Sequence, residues 1–385
     1  MTTSNGINET NGNKARLLWT FQSPPSPMIW MLSPSSWRKY HLFIKARAMV
    51  QALERPRETM IKHCWGQTGV LAGLNLGVDA GLWKLMAKNG DRPQKVSELA
   101  ASLRVDPVLL SRLMRHLGAM GYIKETGLDE YQPTNFSKSI SLPMIRDRYI
   151  SMTSCTGAAP LRFHEYSRKR GYKNPSDAKD TALMYAYSTK KDMFPGSNRL
   201  AGRVPWSAPT SFPVKERLID GADQSPEAPF FVDIGGSIGH DIMEFHSIHP
   251  NTPGKLILQD LPVVIGQIKQ LDPAVTAMGH DFLTEQPVKG ARAYYMHSCL
   301  HDWPDDVCAK ILAQIKAAMR TGYSKLLINE NVIPSTGAYW ETSALDMERT
   351  EGDWHNLLET IAGLKIVKIW SGGKGVESLI EVELP

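Results

Sequence analysis

Residues 232–241, with the sequence VDIGGSIGHD, decide the fold of this chain. The apolar stretch PFFVDI runs into them and a helical stretch follows, so they predict a strand, a turn and a helix. Gly235, Gly236 and Gly239 let the backbone turn tightly and approach a ligand closely. The N-terminus of the helix that follows suits an anionic or polar group. The segment therefore predicts a ligand-binding loop at the carboxyl end of a strand.

An acidic residue follows at the end of the next predicted strand. Asp260 ends the run LILQD, and a carboxylate there can accept hydrogen bonds from both ribose hydroxyls of an adenosine-bearing cofactor. Ser237 stands where a dinucleotide fingerprint has its middle glycine, which makes a nicotinamide cofactor a weaker interpretation. The spacing D-x-G-x-x-x-G from Asp233 favours S-adenosylmethionine. A plain strand–turn–helix with no ligand is the structural alternative.

Alternating short apolar runs and helical stretches continue after residue 228. The runs are PFFVDI, KLILQD, ARAYYMHS and KLLINENVI, and the clearest helix is DDVCAKILAQIKAAM. This alternation predicts a parallel sheet covered by helices. The last two strands, GLKIVKIW and SLIEVEL, are joined by a glycine-rich connection and are expected to pair antiparallel. The predicted fold class is α/β, a Rossmann-like parallel sheet with an antiparallel C-terminal hairpin.

A winged helix is predicted over residues 96–134. A short helix at 97–103 is followed by Asp106-Pro107, a helix N-cap and a first-turn proline. Gly121 can end the second helix, and 122–134 has the pattern of a β-hairpin. The apolar face of the second helix consists of Leu110, Leu113, Met114 and Leu117.

A winged helix raises the alternative of DNA binding, which the charges do not favour. The second helix offers Arg112, Arg115 and His116, whereas the wing carries acidic residues. The whole chain has a formal net charge of +5 without a long basic run. A docking or dimerisation module is therefore the favoured interpretation, and a DNA-binding regulator the weaker one.

The 385 residues favour two domains with connecting segments. Four cysteines without a CxxC pair favour reduced thiols over disulfides or zinc, and no metal is expected. The absence of a long apolar run or a signal-peptide pattern in this sequence favours a cytoplasmic protein without a membrane span. We expect an irregular N-terminal arm at 1–40, a winged-helix dimerisation domain at 41–140, a helical linker and substrate-pocket region at 141–227, and a catalytic domain at 228–385.

From about residue 45 onward the chain resembles the metal-independent small-molecule O-methyltransferases, particularly fungal members of the plant caffeate and flavonoid type. The resemblance rests on an ordered set of motifs: VDIGGSIGH, LILQDLP, GHDF, YYMHSCLHDWPDD, KLLINENVIP and ERTEGDW. It implies an S-adenosylmethionine-dependent enzyme that methylates a hydroxyl of a small aromatic secondary metabolite. It also implies a homodimer built by the winged N-terminal region, which in that family covers the active site.

The same resemblance assigns roles residue by residue. It places the general base at His301, with Glu330 and Glu348 as the two flanking acids. The cofactor-binding positions it implies are Asp233, Gly235, Gly236, Gly239, Asp260, Asp281, Phe282 and His297. A neutral imidazole that removes the proton of a phenol, whose pKa is near 10, assists in-line attack on the methyl group. Without the family, a helix-capping or core-edge role for His301 would be about equally plausible.

Two stretches depart from the family pattern beside the expected acceptor pocket. Met347 runs straight into Glu348, where the family carries a helix and a loop, and the segment 190–206 is short where the family has a pocket-lining helix. These departures keep two alternatives open: a methyltransferase fold that catalyses pericyclisation or dehydration, and an inactive cofactor-binding paralogue. The acceptor pocket is expected to draw on helices of residues 150–190, including Phe163, His164 and Tyr187.

Overall fold

The structure is a computed structural model, and it describes residues 34–155, 157–175, 177, 180–188, 206, 208, 212–337, 348–371 and 377–385. The chain divides into two compact units, 1–48 and 49–385. Helix α1, Pro34–Leu53, begins inside the stretch expected to be irregular, in agreement with the preference for proline in a first helical turn. The remainder of the predicted arm, the segment 190–206 except Trp206, and residues 343–347 lie outside the described residues.

Short helices and a small sheet open the second unit and form the predicted winged helix. Its sheet has the order β1-β3-β2 and is antiparallel, with β1 at Gln94–Lys95, β2 at Ile123–Gly127 and β3 at Glu130–Pro133. Its helices are α2 (Pro56–Ile61), α3 (Gln67–Asp79), α4 (Leu82–Lys88), α5 (Val96–Leu103) and α6 (Pro107–Ala119), with a π-helical turn at Lys62–Gly66.

Helix α6 begins where its sequence predicts. Oδ1 of Asp106 accepts hydrogen bonds from the backbone N–H groups of Val108 and Leu109 at 2.8 and 2.9 Å, so the predicted N-cap is confirmed. One face of the helix is buried through Leu110, Met114 and Leu117. Leu113 is only half-buried, at the border of this face.

Further helices connect the winged helix to the sheet domain. They are α7 (Asn135–Ser139), α8 (Pro143–Cys155), α9 (Ala158–Lys169) and α10 (Ala182–Tyr187), followed by a π-helical turn at Lys215–Ile219. Helices α9 and α10 carry the residues expected at the acceptor pocket. His164 is exposed there, Phe163 is half-buried and Tyr187 is 36% exposed.

A seven-stranded sheet organises the rest of the chain in the order β11-β12-β8-β7-β4-β5-β6. Strands β4 to β8 are parallel where they pair, β12 runs antiparallel to β8, and β11 runs antiparallel to β12. The predicted α/β class and the antiparallel C-terminal hairpin are confirmed. The strands are β4 (Pro229–Ile234), β5 (Lys255–Asp260), β6 (Val275–Gly279), β7 (Ala293–His297), β8 (Lys325–Glu330), β11 (Lys365–Ser371) and β12 (Ser378–Glu383).

Helices pack on this sheet and bury its aliphatic and aromatic side chains. They are α11 (His240–Ile248), α12 (Pro262–Ile265), α13 (Asp305–Ala318) and α14 (Glu351–His355), the last continuing as a π-helical turn at Asn356–Ile361. A separate parallel pair consists of β9 (Val332–Ile333) and β10 (Arg349–Thr350). Because the carboxyl ends of the parallel strands meet at one edge, the loops after β4, β5, β6 and β7 converge there.

The described residues contain no single helix that is long and apolar enough to cross a membrane. One bent pair of helices, Pro56–Asp79 with Leu82–Lys88, meets that test by length and composition.

Candidate active site

The loop after β4 brings its backbone to the sheet edge. Gly235 has a φ of +68°, and a Cβ there would lie 2.9 Å from Sγ of Cys299. At Gly236 a Cβ would lie 2.6 Å from Cγ of Asp233. Gly239 then begins α11 in the left-handed region with a φ of +89°. A side chain is thus excluded at Gly235 and Gly236, and the helix N-terminus follows directly after Gly239.

Asp260 joins this loop to the end of β5. Its Oδ2 accepts a hydrogen bond from the backbone N–H of Ser237 at 2.7 Å, and its Oδ1 accepts one from Leu261 at 2.7 Å. A carboxylate oxygen accepts more than one hydrogen bond, so the half-buried Asp260 keeps acceptor capacity toward the cleft.

The turn after β6 contributes Asp281 and Phe282. Asp281 is exposed, and its Oδ1 accepts a hydrogen bond from the backbone N–H of Leu283 at 2.9 Å. Phe282 is half-buried and meets the ring of Trp303 edge-on, with 6.1 Å between the ring centroids. A Cβ on Gly235 would lie 3.8 Å from the Phe282 ring, so this aromatic side chain lies beside the glycine loop.

Two residues expected to bind the cofactor, Asp233 and His297, are buried inside the protein. Asp233 is completely buried under Gly236. His297 is 2% exposed, and its ring nitrogens lie 2.5 Å from Asp241 and 2.7 Å from Glu377. Both ring nitrogens of His297 thus face carboxylates inside the protein, and the cofactor-binding role expected for this residue stays a prediction.

The turn after β7 carries His301 on a single 3-10 turn, Leu300–Asp302. Oε1 of Glu330, the last residue of β8, accepts hydrogen bonds from the backbone N–H groups of Cys299 and Leu300, each at 2.8 Å. Glu330 is 1% exposed, so these bonds form away from water. The carboxylate therefore fixes the backbone directly before His301.

His301 lies with Nδ1 facing the two expected acids. The distances are 3.5 Å to Oε1 of Glu348 and 3.7 Å to Oε2 of Glu330. Its Nε2 lies 3.5 Å from Oδ1 of Asp302, and the side chain is 21% exposed. The structure thus brings His301, Glu330 and Glu348 together, with Nε2 of His301 on the side of the ring away from the two glutamates.

The short β9–β10 pair explains how Glu348 reaches this place. Val332 pairs with Arg349, so the residues before them, Asn331 and Glu348, lie side by side. Nδ2 of Asn331 donates to Oε1 of Glu348 at 3.0 Å. Strand pairing therefore places the Glu348 carboxylate beside His301. It does so although the sequence SALDM (343–347) continues directly into Glu348, without the helix and loop of the family pattern.

Burial and charge act in opposite directions on this cluster. Burial disfavours the charged imidazolium, but Glu348 and Glu330 outweigh it and raise the pKa of His301 to about 10. Burial raises the pKa of Glu330 above its ordinary range, and His301 partly offsets that rise. The carboxylates thus stabilise the protonated form of His301, which is the form a base acquires after it has removed a proton.

Arg349, which the sequence analysis did not single out, stabilises the turn that carries His301 through hydrogen bonds to its backbone. Its guanidinium donates to the backbone oxygens of Leu300 at 2.9 Å and Trp303 at 2.8 Å, the residues on either side of His301 and Asp302. The same group donates to Oδ1 of Asp305 at 2.8 Å. Its signal in the sequence was its position in ERTEG, next to Glu348.

Comparisons with known proteins show which family the chain belongs to. A family model described as the O-methyltransferase domain matches residues 214–364. The O-methyltransferase mfmE of Annulohypoxylon moriforme is 34% identical to this chain over 99% of both proteins. The chain belongs to the S-adenosylmethionine-dependent O-methyltransferase family. The resemblance inferred from the motifs is therefore confirmed, and so are the family's cofactor and the assignment as an enzyme.

Two solved structures show how this O-methyltransferase compares in three dimensions. The crystal structure of OxaC in complex with sinefungin and meleagrin is 30% identical, with a TM-score of 0.79, and the match covers 90% of this chain and 93% of that one. A structure described as a pericyclic reaction enzyme is 27% identical, also with a TM-score of 0.79, and the match covers 90% and 94%. The fold is thus shared by proteins of different described chemistry. In the described part of this methyltransferase, no group of three or more His, Cys, Asp or Glu side chains could hold a metal ion.

Proposed function

We propose that this methyltransferase transfers a methyl group to a hydroxyl of a small aromatic secondary metabolite, with His301 as the general base. The observation that carries the proposal is the position of His301 Nδ1 between Glu348 and Glu330, at 3.5 and 3.7 Å. Two carboxylates on one ring nitrogen leave Nε2 to accept the proton of an acceptor. The relatives named as fungal O-methyltransferases support the reaction type.

The cofactor half of the site is built from groups that fit S-adenosylmethionine. The loop at Gly235 and Gly236 excludes side chains and exposes backbone, Asp260 offers carboxylate oxygens for ribose hydroxyls, and Phe282 offers an apolar surface beside the loop. Asp281 lies exposed at the next strand end. The cofactor supplies an activated methyl group on a positively charged sulfur, and the residues of this chain bind, orient and deprotonate around it.

The proton is the part of the reaction that the protein handles. A phenol with a pKa near 10 is mostly neutral at pH 7 and is a weak nucleophile. His301 in its neutral form takes that proton at Nε2 as the oxygen attacks. Glu348 and Glu330 then stabilise the imidazolium, and Glu330 also holds the backbone before the histidine in place. General-base catalysis of this kind contributes roughly 10²–10⁴-fold.

Transfer of a labelled methyl group from S-adenosylmethionine to a panel of phenols tests the proposal. We expect His301→Gln to reduce transfer by about 10²-fold or more while the affinity for S-adenosylhomocysteine stays within about twofold. His355→Gln is the matched control, since His355 pairs with Glu359 on the exposed side of the same domain. Transfer by His301→Gln at the wild-type rate would contradict the role of His301.

A second candidate function is a rearrangement without methyl transfer, which the match to the pericyclic reaction enzyme favours. In that case a bound cofactor would act only as a charged or structural group. The same assay separates the two functions: methyl label in the product supports transfer, whereas an isomerised product of unchanged mass without label supports rearrangement.

An exposed apolar face on the first helices of the second unit supports a homodimer. Met49, Leu53, Met60 and Trp65 are between 56% and 75% exposed there. Exposed apolar side chains that form a large patch mark interaction sites. We expect a dimer in light scattering, and we expect Trp65→Asp to shift it toward monomer; a wild-type monomer at all concentrations would contradict this assignment.

A reducing compartment such as the cytoplasm suits the thiols of Cys64, Cys299 and Cys308.

A further inference from the structure

A second buried acid–base cluster lies behind the proposed catalytic one. His297 ends β7, with Nδ1 2.5 Å from Oδ2 of Asp241 and Nε2 2.7 Å from Oε2 of Glu377. All three residues are 5% exposed or less. Both ring nitrogens face carboxylate oxygens, and only the protonated imidazolium donates from both nitrogens at once. Packing alone would not require a charged histidine between two buried acids, so this cluster calls for another role.

Other groups complete this cluster from each element packed against it. The hydroxyl of Tyr295, on β7, donates to Asp241 at 3.2 Å. Nδ2 of Asn329, on β8, donates to Glu377. The neighbouring titratable group is Glu330, whose pKa is raised in part by Glu377 and lowered by His297. The cluster and the His301 site are therefore coupled through the charge of Glu330.

The two acids lie on segments that shape the two halves of the site. Asp241 is in the first turn of α11, which begins directly after Gly239 of the cofactor loop. Glu377 also accepts a hydrogen bond from Oγ of Ser298 at 2.9 Å. Ser298 has a φ of +50°, an uncommon backbone conformation for a residue with a side chain, and it turns the chain from β7 into the segment that carries His301.

We propose that His297, with Asp241 and Glu377, is a positioning cluster that fixes the cofactor loop and the His301 turn relative to each other. Through Asp241 it holds the first turn of the helix that follows the loop. Through Glu377 and Ser298 it holds the bend before His301. His297 does not touch the reacting atoms in this role. The effect of this cluster on catalysis rests on the proposed function, because that function makes His301 the general base. Its effect on cofactor binding does not depend on the proposed function.

The test is Glu377→Gln, compared with Glu381→Gln as the matched control. Glu381 is a completely buried carboxylate on β12, and it pairs with Arg217 and Lys325 away from the site. A glutamine at 377 can keep its oxygen toward His297 and turn its amide toward the Ser298 hydroxyl, so the fold is expected to survive. Ser298→Ala is the second variant, because it removes one hydrogen bond and no charge.

We expect both glutamine variants to melt at lower temperature, while only Glu377→Gln weakens binding of S-adenosylhomocysteine, by roughly 3- to 30-fold in calorimetry. Ser298→Ala is expected to leave cofactor affinity within about twofold but to lower kcat for methyl transfer by about tenfold. Equal cofactor affinities for Glu377→Gln and Glu381→Gln would overturn the proposal. If Glu377→Gln weakens binding and no phenol is ever methylated, the positioning of the loop stands and the proposed function fails.

Discussion

Oε1 of Glu348 lies 3.5 Å from Nδ1 of His301, a contact made between the start of a two-residue strand and a single helical turn. The side chain of Glu348 is 6% exposed, so water does not screen this pair strongly. The same oxygen accepts the Asn331 amide, which sets its position independently of the histidine. The carboxylate is thus held beside the ring by the protein itself, where it stabilises the imidazolium form of His301.

Glu348→Gln tests this contact through its pH dependence. The base must be neutral to accept a proton, so with the pKa of His301 raised to about 10 we expect kcat/KM to rise with pH across the neutral and mildly alkaline range. Removing the Glu348 charge lowers that pKa, so the rising limb should move to lower pH while the maximal rate falls by about tenfold or more. Profiles from pH 6 to 10 measure both effects. Glu351→Gln, at an exposed carboxylate nearby, should leave the limb in place.

Arg349→Lys tests the clamp on the His301 turn. Lysine keeps the positive charge but cannot reach Leu300, Trp303 and Asp305 together, so the turn loses part of its support. We expect kcat to fall by about tenfold with KM for S-adenosylmethionine nearly unchanged, and stability to fall by roughly 1–3 kcal/mol.

The matched control for that clamp is Arg292→Lys. Arg292 is also buried and donates to backbone oxygens of Leu218 and Tyr323, away from the His301 turn. It should lose similar stability while kcat is retained. A kcat that falls equally in both variants would assign the effect to general destabilisation.

The sequence located the parts of the site that lie within single motifs. Asp260 and Gly235 follow buried strands whose apolar runs are unambiguous, and β4 and β5 have the predicted residues. Strand β6, VTAMG, was not predicted because only Val275 of its five residues is buried at the edge of the sheet. Helix α14 continues as a π-helical turn at Asn356–Ile361, which apolar periodicity does not distinguish from an α-helix.

The contacts that organise the site were beyond the reach of a single sequence. His297 meets Asp241 and Glu377 from 56 and 80 positions away, and no local pattern records such a pairing. The sequence analysis placed His297 among the cofactor-binding positions and did not connect it with these two acids. Arg349 was visible only as the neighbour of Glu348.

Gly235→Ala tests the cofactor loop. Alanine would meet two obstacles, a φ of +68° and a Cβ only 2.9 Å from Sγ of Cys299. Gly290→Ala is the matched control, with a φ of +64° and nothing within 4 Å of the added Cβ. We expect both to lose roughly 1 kcal/mol of stability from the backbone, while only Gly235→Ala weakens S-adenosylhomocysteine binding by tenfold or more. Equal affinities would show that this loop does not approach the cofactor.

The His297 cluster predicts how stability depends on pH. Burial opposes the imidazolium, but Asp241 and Glu377 outweigh it and raise the pKa of His297 to about 9, above the roughly 6.5 of an unfolded chain. Between these values the folded state binds more protons than the unfolded state, so the free energy of unfolding falls as pH rises. The contribution is complete below about pH 6.5 and is lost as pH rises through about 9, with a slope of at most about 1.4 kcal/mol per pH unit from this residue.

Urea unfolding at intervals from pH 6 to 9 measures this slope. His301 contributes with the same sign, because its pKa is also raised, so the wild-type slope alone does not identify the residue. Glu377→Gln separates them: it removes one of the two charges on His297 and leaves Glu348 beside His301. We therefore expect a shallower slope in Glu377→Gln than in wild type or Glu381→Gln. A slope that is unchanged in Glu377→Gln would mean that His297 does not carry the extra proton in the folded protein.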